Sequence, residues 1–114
     1  MSTNRDDGVG LLVETYVDGA VALLGLSGEL TSASRRQLDG AITEVLEAGA
    51  THLQIGLLGV TFVDCSGLTS LLAARRRLLT TAVPLQLRRP SACVCRLLEL
   101  TGTAAAFDID AHAR

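Results

Sequence analysis

After Leu30 the sequence switches repeatedly between two apolar periods, and this alternation constrains the fold more than any other feature. Leu38, Ala41, Ile42, Val45 and Leu46 recur at helical spacing, and His52 to Leu58 is a short β-rich run, after which Val60 to Val63 reaches a turn at Asp64-Cys65-Ser66-Gly67. Leu68, Leu71, Leu72, Leu78 and Leu79 return to a helical stripe, and Val83 to Leu87 is again strand-like. Val94, Leu97 and Leu98 make a third helical face, and Ala105 to Ile109 a last short strand. Helices alternating with strands call for parallel pairing through right-handed crossovers, with the helices laid on the sheet. Ahead of this region, LLVETYV and AVALLGL are β-rich runs broken by Asp18-Gly19. Asp-Gly favours a type I′ hairpin turn, whose central residues both need positive φ. The predicted fold class is α/β: a mixed, mostly parallel sheet opened by an antiparallel hairpin, with three or four helices.

Punctuation supports these elements. Thr31 is placed to cap the first helix, which ends near Gly49, and its charged residues Arg35, Arg36, Asp39, Glu44 and Glu47 form a solvated face. Arg75, Arg76 and Arg77 fall in the last turns of the second helix, where cations complement the negative helix end. Pro90-Ser91 opens the third helix and Gly102 closes it.

A chain of 114 residues is long enough for one core and too short for two. The expected organisation is a flexible N-terminus over 1–8, a domain over 9–110 and a C-terminal tail over 111–114. With no Trp, one Tyr and two Phe, the core must come from Leu, Val, Ala and Ile, and there is little to stack on bases. The net charge is −2 and every basic residue is Arg. That balance argues against nucleic acid as a partner. The absence of Lys removes Schiff-base chemistry and a P-loop lysine.

The opening MSTNRDDGVG is polar and acidic where a signal peptide would be apolar, so a cytoplasmic location is expected. The longest apolar run, Ala20 to Leu26, falls far short of the roughly 20 residues a membrane span needs, so no direct membrane insertion is expected. Cys65, Cys93 and Cys95 lack CxxC spacing, so no metal site is expected, and Cys93 and Cys95 are read as small buried side chains. His52 and His112 are isolated and read as surface residues without a nucleophile partner. No cofactor or catalytic motif is visible, and the chain is not expected to be an enzyme. Arg75 to Arg77 and Arg88-Arg89 are the only clusters that keep an anion- or nucleotide-binding alternative open.

The segment Val60-Thr61-Phe62-Val63-Asp64-Cys65-Ser66-Gly67-Leu68 is the best candidate site. A strand ending in Asp before a small-residue turn and a helix places free backbone N–H groups at the rim of the sheet, suited to contact or modification. The bland alternative is that Asp64 merely caps the helix and Gly67 merely permits close packing.

At these residues the sequence resembles the STAS domain of bacterial anti-sigma factor antagonists, over nearly the whole chain from Val9 to Ile109. The pieces that carry the likeness are Gly28-Glu29-Leu30, VTFVDCSGL over Val60 to Leu68, and RLLELTG over Arg96 to Gly102, followed by Phe107. The resemblance implies a partner, an anti-sigma factor that is often also a serine kinase, captured so that a sigma factor is released. It places partner binding at Thr31, Asp64, Cys65, Ser66, Gly67 and Leu68, and a homodimer is compatible with it. In the family, phosphorylation in this turn releases the partner.

Three positions depart from the family pattern. Cys65 stands where the family has its phosphorylated serine, Thr31 replaces the usual Asp after Gly-Glu-Leu, and Gly56 replaces an Asp near the strand end. A phosphate adds about −1.5 to −2 charge beside Asp64. In a packed interface the resulting repulsion outweighs the roughly 0.3–1 kcal/mol gained from the helix N-terminus. Cysteine cannot accept that phosphate from a serine kinase. Three outcomes stay open: constitutive binding, modification at Ser66, or a redox switch at Cys65, since a thiol at a helix N-terminus tends toward the reactive thiolate. An alternative role is a cytoplasmic STAS subunit of a membrane lipid transport complex.

Overall fold

Six strands follow one another across a single sheet in chain order: β1 (Ser2–Asp6), β2 (Leu11–Asp18), β3 (Val21–Leu30), β4 (His52–Val63), β5 (Leu85–Arg88) and β6 (Asp108–Asp110). The computed structural model describes the backbone of residues 2–6 and the whole of residues 10–110. The tail over 111–114, with His112, lies outside the described residues, as do Met1 and residues 7–9 of the expected N-terminal segment. Pairing is antiparallel from β1 to β3 and parallel from β3 to β6. Helices α1 (Arg35–Glu47), α2 (Cys65–Thr80) and α3 (Ala92–Thr101) are the crossovers between the parallel strands. This is the mixed α/β sheet that the two apolar periods predict.

Strand order decides where the helices go. Each parallel strand is added on the same side of the last, so right-handed crossovers all pass over one face of the sheet. Burial follows: Leu11, Val13, Ala22, Leu24, Leu53, Ile55 and Leu87 join Leu38, Ile42, Leu71, Leu78, Val94 and Leu98 from all three helices in one core. The alternate residues, Glu14, Leu23, Gly25, Gln54, Gly56, Leu58, Gln86 and Arg88, lie on the opposite face and are half-buried or exposed. The radius of gyration is 12.8 Å, against about 13 Å expected for one domain of this length.

Several local expectations are corrected. Ser2–Asp6, for which no strand was expected, pairs with β2; a polar segment can do this because an edge strand offers unpaired backbone groups to any sequence. The hairpin loop is Gly19-Ala20, since Asp18 pairs with Val21, and only Gly19 has positive φ, at 63°. Two left-handed central residues are therefore not needed. Strand β4 runs unbroken from His52 to Val63, past the expected end at Leu58, with register shifts in its pairing to β3. Gly59 permits this, since a Cβ there would fall 2.6 Å from Ser27 Oγ.

Among the helices, Leu79 is 63% exposed instead of completing the α2 stripe, because it sits about 100° round the helix from buried Leu78. Ala74 and Ser70 face the core in its place. Arg77 is no mere helix-end charge: its Nη2 donates to Thr43 Oγ1 at 2.7 Å and its Nη1 to the Asp39 carbonyl at 3.3 Å, tying α2 to α1. A 3-10 turn over Ser32–Ser34 precedes α1, and another over Ala104–Ala106 replaces the start of the expected last strand. The fifth strand begins at Leu85, because the Val83 N–H bonds back to the Leu78 carbonyl and Pro84 has none to give. Gly102 closes α3 with φ 69°, as its position predicts.

Candidate functional site

Leu30 and Val63 pair at the C-terminal ends of the parallel strands β3 and β4, so the residues that follow, Thr31 and Asp64, leave the sheet side by side at one rim. Each is extended and each caps a helical turn. Thr31 Oγ1 accepts from the Ala33 N–H at 3.2 Å, while Ser34 Oγ accepts from the Thr31 N–H at 2.9 Å. Asp64 Oδ1 accepts from the Gly67 N–H at 2.8 Å. Side-chain oxygens thus satisfy N–H groups that the first turns leave without partners.

The turn at the start of α2 divides into an outer and an inner half. Cys65 and Ser66 are exposed and Asp64 is half-buried. Gly67 and Leu68, expected to touch a partner, are buried. A Cβ at Gly67 would lie 2.0 Å from the Leu30 carbonyl oxygen, so only glycine lets α2 pack this closely on the end of β3. Leu68 is part of the core. The bland account therefore holds for Gly67 and Leu68, while Cys65 and Ser66 remain free on the surface. Their carbonyls accept from Thr69 Oγ1 at 2.9 Å and Ser70 Oγ at 3.1 Å, which holds the exposed turn in helical geometry.

Beside this turn lies a groove that the sequence reading missed. It has a volume of about 430 Å³ and is lined by Phe62, Val63, Cys93, Arg96, Leu97 and Leu100. Phe62 is 49% and Leu100 77% exposed. Alternation from buried Val60 turns Phe62 toward the helices, but only α3 reaches it there. Leu100 falls off the Val94–Leu98 stripe, an outward leucine that the helical period could have flagged. Cys93 sits in this groove and its thiol reaches the Val60 carbonyl at 3.4 Å; the Cys95 thiol donates to the Pro90 carbonyl at 3.6 Å. Both behave as the small, partly buried side chains expected, and all three cysteines are free.

The rim has hydrogen-bonding, hydroxyl and apolar groups but lacks a positioned base. His52 stands at the N-terminal end of β4, the far end of that strand from Asp64, where its Nδ1 lies 3.1 Å from Thr51 Oγ1. Among the described residues no three His, Cys, Asp or Glu side chains gather to hold a metal ion, and no helix is long and apolar enough to cross a membrane.

Residues 14–107 match the family model described as Mlab, STAS domain. The chain belongs to the STAS-domain family. No curated protein matches it. Among solved structures, the STAS domain is similar to an anti-sigma factor antagonist from Mycobacterium paratuberculosis, with 22% identity, a TM-score of 0.77, and coverage of 93% of this chain and 90% of that one. The unphosphorylated form of the anti-sigma factor antagonist SpoIIAA is 22% identical, with a TM-score of 0.70 over 88% of this chain and 89% of that one. A sulfate transporter family protein from Wolinella succinogenes is 18% identical, with a TM-score of 0.72 over 85% of this chain and 81% of that one. At these identities the likeness is one of fold.

Proposed function

We propose that this STAS domain is a cytoplasmic regulatory binding module, not a catalyst: an anti-sigma factor antagonist that captures an anti-sigma factor, of the kind that is often a serine kinase, and so releases a sigma factor. The observation that carries this reading is the capped, exposed Cys65-Ser66 turn at the sheet rim, continuous with the half-exposed Phe62 and with Thr31. Apolar side chains flanking oriented polar groups suit a protein interface.

Docking is tested by titrating the chain with candidate anti-sigma factors and comparing Ser66→Arg. Ser66 is exposed, so the variant folds; binding is expected to weaken by at least about tenfold, because a charge is introduced into a desolvated contact. Unchanged binding would show that this turn is not the contact. Gly67→Arg is unsuitable, since any side chain there strikes Leu30 and unfolds the packing it is meant to probe.

Constitutive capture is the form of regulation that Cys65 favours. Incubation with the cognate kinase is expected to give no gain of about 80 Da in intact mass. Phosphate at Ser66 would replace constitutive binding with a switch at that hydroxyl, and oxidant-dependent loss of binding cured by Cys65→Ser would replace it with a redox switch. The fold shared with a sulfate transporter family protein favours a second reading, a STAS subunit of a membrane transport complex. Co-purification with a transporter ATPase would select it.

A further inference from the structure

The sequential strand order puts every helix on one side, and among the described residues no helix covers the other face of β2 to β5, although parallel strands are ordinarily covered on both faces. One rung crosses that bare face as Glu14, Gly25, Gly56 and Arg88, since each pairs with the next. Glycine inside a strand weakens it, and where no bulge or bend explains it, it marks the approach of something else. Neither glycine here has positive φ. A Cβ at Gly25 would come no nearer than 3.8 Å to its neighbours, and one at Gly56 likewise 3.8 Å. Gly25 and Gly56 form the last regular pair before the β3–β4 register shift between Gly25 and Ser27, and Gly25 is itself regularly paired on both sides.

With Gly59, the two glycines floor an open groove of about 350 Å³, walled by Leu23, Leu58 and Ser27, with Glu14 at one end and Arg88 and Arg89 at the other. Successive strand residues should point to opposite faces. Arg89, just past the strand, has a left-handed backbone, at φ 49°, and both arginines line the same groove. Strained conformations of this kind gather at ligand clamps. Arg88 pairs with Gly56 across the strands and its Nη1 donates to Gln54 Oε1 at 3.3 Å, but its Nε is buried and has no hydrogen-bond partner. A buried donor without an acceptor is costly, and an anionic oxygen entering at this end would supply one. The next residue on the rung, Asp110, lies beyond Arg88 on β6, outside the groove.

We infer that this groove is a small-molecule site, separate from the docking rim, for a compact zwitterion with a carboxylate or phosphate at Arg88 and Arg89 and an ammonium toward Glu14. Its volume lies at the lower end for such sites, roughly 300–1,000 Å³. The opposed charges stand three strand spacings apart, about 14 Å between Cα atoms, so a short chain laid over the glycines can meet both.

The test is an amide-shift titration of the whole chain with 6-aminohexanoate, hexanoate and hexylamine. Saturable shifts at Gly25, Gly56 and Gly59 are expected with the first two, tighter for the zwitterion, and none with the amine. O-phosphoethanolamine, run alongside, distinguishes a phosphate from a carboxylate head. Arg88→Gln is expected to weaken binding at least about tenfold. Glu14→Gln is expected to remove the advantage of 6-aminohexanoate over hexanoate. Gly56→Val raises the floor at a position where a Cβ meets only ordinary contacts and valine suits a strand, so it is expected to abolish binding without lowering the thermal midpoint. The assignment is overturned if no saturable shift appears at these glycines, if Gly56→Val binds as the parent does, or if the face is instead occupied by a second copy, seen as a ligand-independent dimer that Gly56→Val dissociates.

Discussion

Gly67 and Ser66 are neighbours in the same helical turn with opposite work to do. Gly67 carries the contact between α2 and the end of β3, where an added methyl group meets the Leu30 carbonyl, whereas Ser66 faces solvent with only its carbonyl engaged. Gly67→Ala is therefore expected to lose about 1–3 kcal/mol, the usual cost of overpacking a filled site. Ser66→Ala should stay within about 0.5 kcal/mol of the parent. Urea denaturation of the two variants checks both, and equal stabilities would show that the α2 start is not packed as tightly as described. Asp64 stands between these cases: its carboxylate caps α2, so Asp64→Ala should cost about 1 kcal/mol even where no partner is present.

Helices α1 and α2 meet along apolar residues, but a polar latch fixes their relative position. Arg77 reaches across to Thr43 and the Asp39 carbonyl, and Thr43 Oγ1 itself donates to that same carbonyl at 3.0 Å, so three groups form one network. Arg77→Met keeps the aliphatic stem and removes the donors. A loss of about 1–2 kcal/mol is expected, at the lower end for hydrogen bonds from a charged group because the site is only partly buried. Arg76, exposed one position earlier, should be replaceable by Met at a cost within about 0.5 kcal/mol. Thermal melts of both variants decide whether the triple-Arg run is one solvated patch or contains one structural member. The Arg35–Asp39 pair, at 3.7 Å and exposed on both sides, contributes little by comparison.

Across the whole molecule, β3 and β4 form the longest parallel pair at the centre of the sheet, while β6 contributes three residues at an edge. Opening should therefore begin at β6 and end at the centre. Hydrogen exchange is expected to be slowest at amides such as Leu24 and Ile55 and fast at Ile109; equal protection would mean that the sheet opens as one unit. The order and type of the main elements from β2 onward were legible in the sequence, because apolar period and capping residues are properties of neighbours two to four positions apart, whereas β1 and the two 3-10 turns were not. Asp64 and Gly102 were readable as caps for the same reason, whereas Thr31, read as the cap of α1, caps the 3-10 turn that precedes it. Only the tertiary structure decided which of Asp64 to Leu68 face solvent, that Arg77 belongs to α1 as much as to α2, and that Gly56 and Arg88 line one groove. Those outcomes depend on partners distant in sequence, 34 positions in the case of Arg77 and Thr43. Exposure and recognition are settled by what packs there when the chain closes on itself, which no local pattern encodes.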